Sequence, residues 1–102
     1  MQLDLRQLEY LLVAIKRESY SAAAKELFVT PQAISKAIIS LENETKHALM
    51  LRDGNTMRPT AFALDVISEI EDMVNRYHAL EDRLKARKDA PSCEQDEEKT
   101  DN

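Results

Sequence analysis

The chain is poor in glycine and cysteine and has no tryptophan. Its 102 residues include one glycine, one cysteine and two histidines. A single glycine, Gly54, cannot build the glycine-rich loop with which many enzymes hold phosphate. A single cysteine, Cys93, cannot form an internal disulfide, and His47 and His78 are too far apart in sequence to suggest a metal site. The sequence therefore predicts no catalytic residues, no cofactor and no metal ligands.

Long apolar runs are also absent. The longest spans residues 10–15, far short of the roughly 20 residues that a membrane helix needs. The N-terminus lacks the charged and apolar stretches of a signal peptide, so we expect a cytoplasmic protein with no membrane partner. A chain of this length buries a limited core. With no disulfide or metal expected, self-association is the remaining source of extra stability.

Negative charge is concentrated at the C-terminus. The chain carries a net charge of −5. Residues 1–87 hold twelve basic and thirteen acidic side chains, a balance of −1, whereas residues 88–102 hold two and six, a balance of −4. The second segment contains Pro91 and no apolar periodicity, which predicts a disordered acidic tail. The body is neutral, and this weighs against tight DNA binding because DNA-binding domains are usually basic.

Two helices are predicted near the N-terminus. Asp4 is a suitable N-cap, with Gln7 as its capping-box partner. The apolar residues that follow form one helical stripe: Leu5, Leu8, Leu12 and Ile15. Residues 22–27 have high helix propensity, and Ser19 or Ser21 can cap this second, shorter helix.

A third helix follows after a brief turn. Thr30 is a good N-cap and Pro31 suits the first helical position, so the helix runs from there to about Glu44. Two short helices joined by a tight turn indicate a helix-turn-helix, which places the start of its second helix in the DNA major groove. The residues suited to base or phosphate contact are Gln32, Ala33, Ser35 and Lys36. The alternative is an ordinary solvated helix face.

The C-terminal half predicts a hairpin and a long helix. Residues 49–52 and 56–58 suit two short strands around the Asp53-Gly54 turn. Thr60 can cap a helix over residues 61–87. Apolar residues recur there in a heptad pattern typical of helix pairing, at Val66, Ile70, Met73, Tyr77, Leu80 and Leu84. We expect this stripe to form a dimer; the alternative is a helix folded back on its own domain.

Residues 3–63 resemble the N-terminal domain of LysR-type transcriptional regulators. Residues 5–10 (LRQLEY) and 20–27 (YSAAAKEL) are similar to the first two helices of that family. Residues 29–38 (VTPQAISKAI) resemble its recognition helix. Residues 49–52 (LMLR) resemble the first strand of its wing, and residues 58–63 (RPTAFA) the entry to its linker helix. The motifs occur in the family's order and spacing.

The resemblance implies a mainly α-helical winged helix-turn-helix with a small β-hairpin wing and a long C-terminal dimerisation helix. Residues 1–59 would form the DNA-binding domain and residues 60–87 a linker helix that pairs antiparallel with its partner's. The implied function is sequence-specific transcriptional regulation by a homodimer on double-stranded DNA. The implied DNA-binding residues are Ser21, Thr30, Pro31, Gln32, Ala33, Ser35, Lys36, Ser40, Arg52 and Arg58.

The chain departs from the family in several places. It has no counterpart of the family's C-terminal sensor domain, so the resemblance does not imply a small-molecule ligand. Ala37, Ile39 and Ser40 stand where the recognition helix often carries larger polar or basic residues, and Glu42 and Glu44 add negative charge. The common Leu-Gly after that helix is replaced by residues 45–46 (TK), which predicts a longer or differently turned helix end. His47 is predicted to be an incidental surface histidine.

These departures support a second hypothesis of a different class. In it the chain is an interaction protein that pairs with a full-length LysR-type regulator through the linker helix and modulates that regulator's DNA binding. The neutral body, the acidic tail and the depleted recognition helix favour this hypothesis. The retained residues 30–36 and the wing arginines favour direct DNA binding.

Overall fold

A computed structural model describes residues 2–86, which form four helices and a two-stranded antiparallel sheet. The predicted order of elements is confirmed, and the predicted acidic tail, residues 88–102, lies outside the described residues. The elements are α1 (Leu5–Arg17), α2 (Tyr20–Leu27), α3 (Pro31–Thr45), β1 (Met50–Asp53), β2 (Thr56–Pro59) and α4 (Ala61–Ala86).

Each of the first three helices begins at a side-chain cap. Asp4 accepts from the Arg6 N–H at 2.9 Å, Ser19 from the Ala22 N–H at 3.1 Å, and Thr30 from the Ala33 N–H at 3.1 Å. Of the two serines proposed for α2, Ser19 is therefore the cap. Gln7 does not complete a capping box as predicted. Its side-chain amide instead donates to the Ser40 hydroxyl of α3, at 3.4 Å.

The same three helices end at residues with left-handed backbones, and none of these residues is glycine. They are Glu18, Phe28 and Lys46, with φ between 54° and 62°. A non-glycine residue in this conformation costs roughly 1–2 kcal/mol, which the surrounding packing must offset. At the end of α3 the Lys46 N–H donates to the Glu42 carbonyl at 2.8 Å. The helix therefore stops at Thr45 without the family's glycine, one residue beyond the predicted end.

The core lies where α1 meets the other three helices. Its most enclosed side chains are Leu11, Ile34, Ile38 and Leu41. On α2 the buried residues are small, Ala23 and Ala24, so that helix can approach its neighbours closely. Among residues 2–86 no polar or charged side chain is fully buried. Burial of apolar surface is consequently the main source of stability.

The hairpin is attached to the helices at both strands. Two residues, Gly54 and Asn55, join β1 to β2, and Gly54 has the positive φ of 62° that such a turn needs. Met50 is buried in the core, and the Met57 N–H donates to the Glu18 carbonyl at 3.1 Å. The strands lie within one residue of their predicted positions, so the predicted wing is present.

Helix α4 extends beyond the body of the domain. Its 26 residues make a rod of about 39 Å. Val66 and Ile70, at the start of the predicted stripe, pack against the chain's own core, as does Val74 outside the stripe. The remaining stripe residues are 41–64% exposed: Met73, Tyr77, Leu80 and Leu84. The helix therefore folds back on its own domain as far as about His78, and Leu80 and Leu84 lie beyond that contact. No helix within residues 2–86 is long and apolar enough to cross a membrane.

Polar contacts hold α4 against α1. The Lys16 ammonium lies 2.6 Å from the Glu71 carboxylate. Further along, His78 lies between two carboxylates, with Nε2 2.7 Å from Glu9 and Nδ1 3.0 Å from Glu81. The pKa of the His78 imidazole is raised above 6.5, mainly by the hydrogen bond to Glu9 and secondly by the one to Glu81. His78 thus links the second half of α4 to α1 through Glu9.

This arrangement predicts a stability increment that depends on pH. Because the pKa of His78 is raised by folding, its contribution is fully present below pH 6.5 and is lost as pH rises through the higher folded pKa. We expect His78→Ala to lower the melting temperature most below pH 6.5, and to have a progressively smaller effect as the pH rises above that value. Thermal melts across this range measure the difference.

Lys16→Ala is the matched control, since it removes a neighbouring α1–α4 contact that contains no histidine. Its effect should not vary with pH. A His78→Ala effect that is equally constant from pH 5.5 to 8.5 would contradict the prediction.

Candidate nucleic-acid interface

The α2–turn–α3 segment is held by backbone hydrogen bonds. The turn consists of Phe28 and Val29, whose N–H groups donate to the Lys25 carbonyl at 3.4 Å and the Ala24 carbonyl at 3.0 Å. Phe28 is 94% exposed at the tip of the turn. On α3, the buried stripe anchors the helix against the body: Ile34, Ala37, Ile38 and Leu41. The opposite face of α3 is consequently turned to solvent.

The predicted recognition residues lie together at the start of this outer face. Gln32 and Lys36 are exposed one helical turn apart, whereas Ala33 and Ser35 are half-buried beside them. Within residues 2–86 the side chains of Gln32, Ser35 and Lys36 make no hydrogen bond or ion pair. They are therefore available to an external ligand at the amino end of α3, where the helix dipole favours anions. Thr30 and Pro31 are exposed at that end.

Two predicted residues lie apart from this group. Ser40 is half-buried, and its hydroxyl accepts from the Gln7 amide of α1 at 3.4 Å, so it serves a contact between helices. Ser21 is exposed in the first turn of α2. Further along the outer face of α3, Ile39 is 52% exposed and interrupts the polar surface.

The hairpin places its two arginines on opposite faces. In the β1–β2 register Arg52 lies opposite Met57, and Leu51 lies opposite Arg58. Because directly opposed residues share a face of an antiparallel pair, Arg52 and Met57 share one face and Arg58 lies on the other with Leu51. Met57 packs against the core, so Arg52 projects from the body side and Arg58 from the outer side. Both arginines are exposed.

Glu42 has a structural role that sequence reasoning missed. Its carboxylate accepts from the Leu49 N–H at 2.8 Å and the Met50 N–H at 3.3 Å, which ties the start of the wing to α3. Glu42 also acts on the Tyr20 phenol of α2. The pKa of that phenol is raised mainly by burial and secondly by the Glu42 carboxylate, whereas Arg52 lowers it. These groups meet where α2, α3 and the wing converge. The Glu42 carboxylate thus already accepts two hydrogen bonds from the chain itself, without any external ligand.

Two other sequence expectations concern the same region. Glu44 remains exposed, and its carboxylate accepts from the Gln2 N–H at 3.0 Å. His47 is exposed in the loop after α3, as predicted, and its ring stacks on Phe62 at a centroid distance of 4.1 Å. Among the residues that the structure describes, no three histidine, cysteine or acidic side chains are grouped closely enough to hold a metal ion.

Comparison with known proteins gives a consistent family assignment. Residues 5–64 match the family model described as bacterial regulatory helix-turn-helix protein, lysR family. The chain is 29% identical over 79 residues to a virulence genes transcriptional activator of Salmonella typhimurium, covering 78% of this chain and 27% of the relative. It is 34% identical over 81 residues to a putative transcriptional regulator of Pseudomonas aeruginosa, covering 78% and 26%. The chain therefore spans about a quarter of the length of these relatives.

The fold is also shared with solved structures. The crystal structure of a CbnR_DBD-DNA complex superimposes with a TM-score of 0.72 at 24% identity, covering 82% of this chain and 97% of that one. At this identity the likeness establishes the fold, a winged helix-turn-helix followed by a long helix. The predicted fold class is confirmed.

The role of Glu42 can be tested by removing its carboxylate. Glu42→Ala leaves the partly buried N–H groups of Leu49 and Met50 without their acceptor, which should cost about 1–3 kcal/mol of unfolding free energy. Denaturant unfolding measures this cost, and hydrogen exchange at the two amides should accelerate.

Glu44→Ala is the matched control, because it removes the same charge from an exposed site on the same helix. Its effect should stay within about 0.5 kcal/mol. Equal effects of the two substitutions would show that Glu42 does not anchor the wing.

Proposed function

The chain belongs to the LysR family of bacterial regulatory helix-turn-helix proteins, and we propose that it binds double-stranded DNA through α3 and regulates transcription as a homodimer. The observation that carries this proposal is the outer face of α3. Gln32 and Lys36 project there with no partner in the described part of the chain, while the opposite stripe of the helix is buried. These side chains serve neither the core nor an ion pair.

In the proposed complex the amino half of α3 enters the major groove. Gln32 is placed to make a bidentate contact with adenine, and Lys36 to meet guanine or a phosphate. Ala33 suits a thymine methyl group, and Ser35 either a base edge or the backbone. The exposed amino end of α3, with Thr30 and Pro31, suits a phosphate. Ser21, exposed at the start of α2, adds a backbone contact, whereas the contribution of Ser40 is limited by its hydrogen bond to Gln7.

The wing is proposed to contact the DNA backbone or the minor groove. Arg58 on the outer face of the hairpin and Arg52 on the body side diverge, so they would reach different phosphates. The likeness to a fold crystallised as a DNA complex supports duplex DNA as the ligand. The domain division is part of the proposal: residues 1–59 as the DNA-binding unit and residues 60–87 as the linker helix.

The homodimer is supported by the exposed half of α4. Large apolar side chains at Met73, Tyr77, Leu80 and Leu84 continue the stripe that begins inside the core, yet the body leaves 41–64% of their surface exposed. An apolar stripe with heptad spacing is stabilised by pairing with another helix. Two copies would present two recognition helices, as a pseudo-palindromic site requires.

A second function is favoured by the depleted outer face of α3. Exposed Ile39 and the inward Ser40 supply no charge to phosphate, and residues 1–87 carry a balance of −1. In this alternative the chain pairs through α4 with a full-length LysR-type regulator and weakens that regulator's DNA binding. A stable dimer with no detectable binding of duplex DNA at low salt would favour it over the first proposal.

Substitution at Gln32 and Lys36 tests the proposed DNA contact. Gln32→Ala should cost about 1–3 kcal/mol of binding to a duplex selected from a random pool, because a bidentate contact to one base is lost. Lys36→Ala should weaken binding, uniformly across sequences if it meets phosphate. Fluorescence anisotropy at fixed salt measures both.

Lys85→Ala is the matched control for charge, since Lys85 is exposed near the far end of α4. It should leave affinity unchanged, and none of the three variants should shift the melting temperature appreciably. Full affinity in Gln32→Ala and Lys36→Ala would place the DNA contact elsewhere.

Substitution at Leu80 tests the homodimer. We expect the chain to sediment at micromolar concentration near twice its 11.7 kDa mass, and Leu80→Lys to sediment as a monomer because a charge is buried in the apolar seam. Ala79→Lys, one residue away on a different face of α4, should remain a dimer. A monomeric parent chain, or a dimer that survives Leu80→Lys, would contradict the proposal.

A further inference from the structure

An isoleucine lies near the middle of the outer face of α3. Ile39 comes seven residues after Gln32, which is about two helical turns, so the two side chains project in nearly the same direction. The buried residues Ile34 and Leu41 lie on the opposite side of the helix. Ile39 is 52% exposed. It therefore belongs to the proposed recognition face and not to the core.

The neighbours of Ile39 on this face are polar. One turn away along α3 lie Ser35 and Lys36 on the amino side and Asn43 on the carboxyl side. The apolar surface of Ile39 is thus the size of one side chain, whereas a stable protein interface buries about 800 Å² on each partner. An isolated isoleucine suits a single small apolar group better than it suits a protein partner.

The major groove of DNA offers one such group. Thymine presents a 5-methyl group there, whereas the edges of the other bases present mainly hydrogen-bond donors and acceptors. Ile39 can neither donate nor accept, so packing it against those polar groups or against a phosphate would desolvate them without compensation. Its β-branched side chain has one strongly preferred conformation in a helix, which fixes the position of its own methyl groups. Ile39 is therefore suited to a thymine and poorly suited to the other bases.

We propose that Ile39 contacts the 5-methyl group of a thymine and determines the preference for that base. The inference rests on the proposed DNA binding by α3, and it goes beyond that proposal by adding a specificity-determining residue outside the predicted set. Ile39 and Gln32 are about 10 Å apart along the helix axis, which corresponds to about three base-pair steps. We therefore expect the thymine about three base pairs from the position that Gln32 contacts.

Removal of the thymine methyl group alone tests the contact. In a duplex selected from a random pool, each thymine of one half-site is replaced in turn by deoxyuridine, which keeps the base pair and loses only the 5-methyl group. We expect one of these replacements to raise the dissociation constant of the parent chain about fourfold, because burial of a group of this size contributes about 0.8 kcal/mol. Fluorescence anisotropy at fixed salt measures the constant.

Ile39→Ala should bind the thymine and the deoxyuridine duplexes equally at that position, because the side chain that covers the methyl group is gone. Leu64→Ala is the matched control, since Leu64 is 53% exposed on α4 and its truncation removes a similar apolar surface away from α3. It should still distinguish the two duplexes as the parent does. Neither variant should shift the melting temperature appreciably, because both side chains are exposed.

The outcomes separate this inference from the proposed function. A position at which the parent chain distinguishes thymine from deoxyuridine and Ile39→Ala does not supports the methyl contact. If no thymine is sensitive to the replacement, or if the sensitivity survives in Ile39→Ala, the inference is overturned while DNA binding by α3 stands. A folded parent chain that selects no duplex from the pool would overturn the inference and the proposed function together.

Discussion

Burial of one stripe of α3 against α1 is the constraint on which the rest of the structure depends. Ile34, Ile38 and Leu41 are almost completely enclosed, so α3 cannot rotate without exposing its largest apolar side chains. This packing determines which residues of α3 meet solvent. It also fixes the end of α3, from which Glu42 holds the first strand of the wing. The recognition face and the wing are therefore positioned by the same helix.

The second constraint is the length of α4 relative to the body. The helix is about 39 Å long, and α1 covers it only as far as the His78 contacts. A continuous heptad stripe thus has two environments along one helix, one inside the domain and one outside. In the proposed dimer the second copy covers the apolar side chains that the body leaves exposed on α4. DNA binding would then depend on α4, because pairing sets the distance between the two recognition helices.

Features encoded by local pattern could be predicted from the sequence. The stripes of α1 and α3, the caps Ser19 and Thr30, and the glycine turn of the hairpin each depend on residues within one or two turns of chain. The resemblance to LysR-type regulators added the order of the elements, and the match over residues 5–64 supports it. The outer position of Gln32 and Lys36 followed from the stripe alone.

Features that depend on tertiary contacts could not be predicted. Gln7 had a plausible local partner but donates to Ser40, which lies 33 residues away. From the sequence, Glu42 could be interpreted only as a negative charge. The N–H groups that donate to its carboxylate follow a loop whose path the sequence does not predict. Arg52 and Arg58 lie on opposite faces of the hairpin because of how the two strands pair. The first paired residue of β1 is Met50, one residue later than predicted. The division of the α4 stripe into a covered and an exposed part depends on where α1 begins, because the two helices run antiparallel and residues 4–9 lie beside residues 74–81; no spacing within α4 encodes this.

The central claim is that two copies of this chain bind one DNA duplex through α3. The most direct measurement is the stoichiometry and salt dependence of the complex, obtained by sedimentation of the chain with a duplex selected from a random pool. The account predicts two chains per duplex, and an affinity that falls with salt less steeply than eight phosphate contacts would require, because Ile39 and Ser40 supply no charge. No complex at low salt from a chain that is folded and dimeric would contradict it.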